Sequence, residues 1–335
     1  MNILHYAFVG NVKRFLGNIK KTAKKENKSA FIIFNKFLWC FARTGCGYSD
    51  YINFKLYNKT KAEIDEYITV KSHNEFYEIV SPSAYKEIFT KKPLFLKTFK
   101  DYISRDFFVD GTIEELDAFL EKNEVFMIKP YDGHAGHNVR KMSRDDVGIT
   151  GEFYAKLKNE GLFVEEYVVQ HSEMSRLCPA SVNTIRVVTF SYGGKSRILY
   201  AILRVGNGKA EVDNFHQQGT GCLIDVESGR LVGDAVDKDG NFYKEHPLTK
   251  VRFDGFQIPN WDKVKKIVLD AALVSDKIHV VGWDVAVTED GATFIEGNRK
   301  PGFDIVQEVT GRGRKDLVRY CLDQINAAEG TNYKV

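Results

Sequence analysis

The chain is poor in the features that mark specialised protein classes. Its 335 residues include only 7 prolines, too few for an extended, linker-rich polypeptide. There are 5 cysteines, at 40, 46, 178, 222 and 321. An odd count with no C-x-x-C spacing argues against a disulfide scaffold and a structural zinc site, so free thiols are expected. No apolar run reaches the roughly 18 residues needed to cross a bilayer. The longest, Ala30 to Ala42, is interrupted by Asn35 and Lys36. Nor does one charge dominate: 48 basic and 45 acidic residues leave a net +3, which gives no electrostatic case for nucleic acid. The start, MNILHYAFVGNVKRF, has a short apolar run followed by basic residues, the reverse of a signal peptide. No internal repeat or low-complexity tract is visible. The expected location is the cytoplasm.

What is present fits a packed globular body: 43% hydrophobic residues, 24 phenylalanines and 16 tyrosines. The length suggests about two domains. Residues 1–85 differ from the rest. Lys13, Arg14, Lys20, Lys21, Lys24, Lys25 and Lys28 form a basic run, followed by the apolar helix candidate AFIIFNKFLWCFA. The pair reads either as a solvated helix followed by a buried one, or as a peripheral contact with an anionic membrane at its inner face. Arg43 to Tyr57 reads as an irregular connection.

From about residue 85 the pattern is mixed. Thr112 and Glu115 form a capping box ahead of the stripe Ile113, Leu116, Phe119 and Leu120. Strands are expected at 125–129 and 162–167, with a helix over 151–160 ended by Gly161. NTIRVVTFS and SRILYAILRV flank a Tyr192–Lys195 hairpin turn. Asn260 is expected to cap a helix reaching about Lys277, and another helix is expected from Lys315.

The strongest chemical signal is VGWDVAVTEDGATFIEGN (281–298), where Asp284, Glu296 and Asn298 interrupt apolar strands. A three-residue loop, Glu289-Asp290-Gly291 with Gly291 left-handed, pairs 284 with 296 and puts Asn298 on their face. Val285, Val287, Thr293 and Ile295 then form the core face. Opposed carboxylates repel, and a hard divalent cation resolves that; Mg²⁺ suits a few carboxylates plus phosphate oxygens.

Three further signals are weaker. Lys129 ends a strand before a loop containing Gly133 and Gly136, a setting that lets backbone N–H groups meet phosphate. It is no Walker A loop. His134 and His137 are read as loop residues beside a nucleotide. LFVEEYVVQHSEM (162–174) supplies apolar positions for an adenine, with Glu173 available to a ribose hydroxyl. Finally, Arg186 and Arg204 sit inside strands, and Arg299 and Lys300 follow Asn298. Such residues suit a substrate carboxylate or a transferring phosphoryl group.

The order lysine–proline with a glycine loop, E-E-Y-V, an arginine strand, then D…E-x-N resembles the ATP-grasp superfamily over about 85–310. SVNTIRVVTF, DNFHQQGTGCLIDVESG and EGNRKPGFDIVQ are most similar to its sugar-transfer-associated family. The resemblance implies an α+β ATP-grasp fold: a mainly helical region over 1–85, a small subdomain over 86–175 and a large one with the metal site over 176–335. ATP and Mg²⁺ are the implied cofactors, with Asp284, Glu296 and Asn298 as metal ligands. Lys129 matches the second nucleotide lysine and Lys92 the first, although Lys91 replaces the usual aspartate. Glu165, Glu166, Tyr167 and Val168 match the adenine hinge, and Glu173 the ribose contact. Arg186, Arg204, Asn214 and His216 match positions facing phosphate or substrate.

The implied activity is a carboxylate–amine ligase working through an acyl phosphate in surface-polysaccharide (capsule or exopolysaccharide) biosynthesis. A uronic acid unit, free or on a carrier, is a natural carboxylate, with an amino acid or small amine as partner; a sugar nucleotide or carrier-linked sugar is the implied form of the sugar substrate. A sugar or small-molecule kinase, and a nucleotide-binding accessory module, are the alternatives.

Overall fold

The computed structural model describes residues 12–132, 139–207 and 219–335. Gly133, His134, Gly136, His137, Asn214 and His216 lie outside the described residues.

Two antiparallel sheets organise the molecule. The smaller holds β1 (Phe107–Phe108), β2 (Val125–Pro130), β3 (Arg140–Ser143) and β4 (Leu162–Glu166), in the order β1-β4-β2-β3. Helices α8 (Ile113–Lys122) and α9 (Thr150–Glu160) cover it, sharing a core of Leu116, Phe119, Phe126, Phe153 and Val164. The capping box forms as expected, Thr112 accepting from the Glu115 amide and Glu115 accepting from the Thr112 amide. Gly161 ends α9 with φ 61°.

The larger sheet has β5 (Ile185–Tyr192), β6 (Lys195–Val205), β7 (Thr220–Ile224), β8 (Leu231–Asp237), β9 (Phe242–Tyr243), β10 (Val280–Val287) and β11 (Ala292–Asn298). Their order is β11-β10-β5-β6-β7-β8-β9. One face carries Val187, Leu203, Trp283, Val285 and Phe294 against α7 (Lys92–Thr98), α10 (Ser172–Leu177) and α11 (Trp261–Ala271). The other carries Val188, Tyr200, Ile202 and Val280 against α5 (Val70–Val80), α12 (Asp304–Thr310) and α13 (Lys315–Glu329). Helix α11 stops six residues before Lys277. Asn260 stands at its N-cap position, its carbonyl accepting from the Lys263 and Val264 amides, but its side chain makes no cap: the side-chain amide donates to the carbonyls of Thr288 and Glu289, tying it to the β10–β11 turn.

Helices α1 (Val12–Lys25) and α2 (Ala30–Thr44) have a core of their own with Tyr51, Leu56, Ile64 and Tyr67. Helix α2 is not wholly buried: Ile33, Phe37 and Cys40 face inward, while Phe31 and Ile32 are 74% and 62% exposed. The connection after it is not irregular throughout. Residues Tyr48–Asn53 form α3, because the Asp50 carboxylate accepts from the Gly47 and Val70 amides, both at 2.8 Å. All five cysteines are buried and unpaired. Among the described residues no helix is long and apolar enough to cross a membrane.

Candidate active site

The β10–β11 hairpin brings Asp284 opposite Glu296, and Asn298 opposite Gly282 two residues along. The route differs from the expected one. The turn is the two-residue Glu289-Asp290, closed by the Thr288 and Gly291 amides and carbonyls, and Gly291 has no positive φ. That turn pairs Val285 with Phe294, which would put Glu296 on the wrong face. A β-bulge at Ile295 then inserts one residue and restores the phase. The reason lies in the core. Phe294 stacks on Trp283 with centroids 4.7 Å apart; were the strand regular, Phe294 and Glu296 would share a face. The bulge separates them. Thr293 accordingly pairs with Ala286 rather than joining Val285 and Val287.

Gly297, between the two polar residues, leaves room for the aromatic wall of the cleft. A Cβ there would come within 2.6 Å of Phe95 and 2.8 Å of Phe89.

The face carries more charge than two opposed carboxylates. Arg186, opposite Asp284 on β5, makes a two-pronged ion pair with it, one prong at 2.8 Å. Arg204 adds a contact at 3.4 Å, with Gly221 opposite it on β7. These two arginines were expected to face phosphate or substrate; the structure places them on Asp284. Burial opposes the Asp284 charge, but the two guanidinium groups win and hold its carboxyl at about 2. Glu296 goes the other way. Burial and the neighbouring Asp284 raise its proton affinity, and the Asn298 amide donates to it at 3.3 Å. The set fits a hard cation: Glu296 offers a carboxylate and Asn298 a neutral amide oxygen, while Asp284 shares its charge with arginine.

A cleft of about 340 Å³ runs from this edge to the small sheet. Lys92, Lys129, Glu165, Glu296, Asn298, Arg299 and Lys300 line it, with Phe89, Phe95 and Phe163 as apolar walls. Lys92 is half-buried there, and burial lowers its proton affinity, with Lys129 adding to the effect and Glu296 opposing it. Lys91 instead reaches Glu87 at 3.3 Å on the outside. Glu165, mid-strand in β4, pairs with Lys129 and with Arg105, the latter at 2.8 Å. Burial alone would raise its carboxyl; Arg105 and Lys129 pull it down to about 2. Arg299 donates to the Ser81 carbonyl at 2.8 Å, and Lys300 meets Glu78 at 3.1 Å.

Other expected residues do not line this cleft. Glu166 accepts from the Asp106 amide, the Tyr167 ring lies 4.2 Å from the Lys141 ammonium, and Val168 is buried. Glu173 is exposed on α10 and paired with Arg176 at 2.6 Å, which leaves it as a surface ion pair. Arg105 escaped the sequence reading. A glutamate at an inward position of an apolar strand was the available sign that a buried cation had to meet it.

A family model described as sugar-transfer associated ATP-grasp matches residues 74–321. The chain belongs to that family, and its α+β architecture is the ATP-grasp fold. Among solved structures it is similar to the ATP-grasp ligase PsnB complexed with a minimal precursor, at 18% identity and a TM-score of 0.44; the match covers 73% of this chain and 64% of PsnB. It is also similar to a D-alanine–D-alanine ligase from Bacillus anthracis complexed with ATP, at 15% identity and a TM-score of 0.44, covering 80% and 78% of the two chains. A D-alanyl-alanine synthetase A from Vibrio cholerae matches at 13% identity and a TM-score of 0.41, covering 74% and 67%. No curated protein matches the chain.

Proposed function

We propose that this protein is an ATP- and Mg²⁺-dependent ligase that joins a carboxylate to an amine. Family membership supports ATP chemistry. The observation that carries the site assignment is the meeting of Lys92, Lys129, Glu296 and Asn298 around one cleft between two sheets. Glu296 and Asn298, with Asp284 behind them, would hold Mg²⁺, which when bound neutralises charge on the phosphates. Lys92 and Lys129 supply fixed positive charge for the phosphate oxygens. Arg186 and Arg204 act through Asp284, fixing its carboxylate. Arg299 and Lys300 stand at the end of β11, where a substrate carboxylate would be held.

A substrate carboxylate oxygen attacks the γ-phosphorus, the bond to the β-phosphate oxygen breaks, and ADP leaves. The amine then attacks the acyl phosphate, expels phosphate and loses a proton. No protein nucleophile is needed; the chain's task is positioning. We assign the carboxylate to a uronic-acid-type sugar of a surface polysaccharide. We also place the exposed apolar residues of α2 and the lysines of α1 against an anionic membrane.

³¹P NMR with Mg-ATP tests this, using pooled uronic acids, sugar nucleotides, amino acids and amines. Free phosphate is expected only when a carboxylate and an amine are both present. A new phosphate ester without free phosphate would make the protein a kinase. Glu296→Gln should reduce turnover by about a hundredfold or more while leaving the fold intact.

A further inference from the structure

A second cavity, of about 700 Å³, lies between the N-terminal helices and the large sheet. One wall is a stripe of α1: Asn18, Lys21, Thr22 and Lys25, whose spacing puts all four on one helix face. Lys55 and Lys59 come from the segment after α3, and Lys238 from beyond β8. Five lysines thus line a single space with two acidic residues, Asp239 and Glu308, although the Lys59 ammonium already donates to the Gly311 carbonyl at 2.8 Å and meets Glu63 at 3.9 Å. Glu308 is a weak counter-charge: burial and then Asp304 push its carboxyl up to about 8, against a hydrogen bond from Asn53.

The five lysines come from three separate segments: α1, residues 55–59 and the chain after β8. Phe242 is exposed beside them, its ring 5.9 Å from the Lys55 ammonium, while Phe54 and Tyr57 are packed into the N-terminal core. The volume is within the range of small-molecule sites.

We propose that this cavity binds a sugar carried on a diphosphate, the lysines holding the two phosphates and Phe242 packing on a ring. Its place in the fold gives it a use. Arg204, Gly221 and Val236 lie opposite one another across β6, β7 and β8, and Val236 lines the cavity. Two strand spacings, about 10 Å, therefore separate it from the arginine that touches Asp284. A sugar carboxylate anchored here by its diphosphate would come up to the Arg204 side of the Asp284 cluster. That use rests on the ligase reading; the binding does not.

Isothermal titration of the full chain, saturated with Mg-AMP-PNP to fill the nucleotide cleft, tests the binding. UDP-glucose, UDP-glucuronic acid and inorganic diphosphate are the probes. The two sugar probes should bind, and Lys21→Ala/Lys25→Ala should weaken them about tenfold or more. Lys20→Ala/Lys24→Ala removes the same charge from the same helix outside the cavity and should change binding by less than about twofold. Equal losses in the two double variants would reduce the effect to general charge and overturn the proposal. So would the absence of binding to the unaltered protein up to about 1 mM. Binding of AMP-PNP is measured separately: sugar binding without it would sink the ligase reading and leave this site standing.

Discussion

Asp284 and Glu296 face each other across one hairpin but hold their charges differently, so their substitutions should separate. Asp284 is the counter-ion of Arg186 and lies beside Arg204. Asp284→Asn leaves a buried guanidinium uncompensated and should cost about 3–5 kcal/mol of stability, read as a lower urea midpoint. Burial and the neighbouring Asp284 both disfavour the Glu296 carboxylate, so Glu296→Gln should leave that midpoint nearly unmoved while removing activity. Equal stability losses in the two variants would contradict this division. The Glu165 pair makes a prediction in pH. Its carboxyl sits at about 2 in the folded protein against an ordinary 4.5. A depressed carboxyl stabilises the fold above its unfolded value and loses that contribution as pH falls towards the folded one. About 3 kcal/mol should therefore drain away between about pH 4.5 and 2. Arg105→Met, which removes one of the two cations, should be less stable at pH 6 and should lose less on acidification. Denaturation curves at pH 6 and pH 3 for both proteins check it.

At the scale of elements, the two N-terminal helices carry a separable test. Phe31, Ile32 and Leu38 of α2 are exposed, as is Leu16 of α1, and the lysines of α1 lie alongside in sequence. Phe31→Ser/Ile32→Ser should cut co-sedimentation with vesicles containing phosphatidylserine, without changing the thermal midpoint by more than about 2 °C. Elements were legible in the sequence where local chemistry decides them. The Thr112 capping box, the Gly161 stop and the Gly193-Gly194 turn between β5 and β6 all need only near neighbours. Elements that answer to distant partners were not. Helix α3 depends on the Val70 amide reaching Asp50, 20 residues away. Asn260 has the residue type of a cap but its side chain is spent on the hairpin turn at Thr288 and Glu289. The shared face of Glu296 and Asn298 was legible because alternation along β11 places them together. The meeting of Asp284 with that face was not, since the Ile295 bulge that permits it follows from Phe294 finding Trp283, and no window of β11 contains Trp283. The arginines were visible as misplaced charges, but which anion they meet is a matter of strand order: β5 lies beside β10, so Arg186 lands on Asp284.

Across the whole molecule, the N-terminal helices are fastened to the large sheet through the α12–α13 turn. The Gln307 side chain accepts from the Ile68 amide and donates to its carbonyl. The Tyr67 hydroxyl donates to the Gly311 carbonyl at 2.9 Å, and the Lys315 amide donates to Glu66 at 3.0 Å. Gly313 permits the approach: a Cβ there would lie 2.1 Å from the Glu66 backbone. Gly313→Ala should cost about 1–3 kcal/mol by prying this seam open, and should speed proteolytic cleavage after the N-terminal helices. An unchanged melting temperature and cleavage rate would show that the seam is not a fastening.

The same seam has a kinetic consequence. The walls of the lysine-lined cavity stand on either side of it and are tied to each other by the bonds of Lys59 and Tyr67 to Gly311, none of which involves a residue lining the proposed nucleotide cleft. Filling the first should not wait for the second. Initial rates with both substrates varied should then follow random rather than compulsory order, with the diphosphate-anchored sugar able to occupy the protein before ATP arrives.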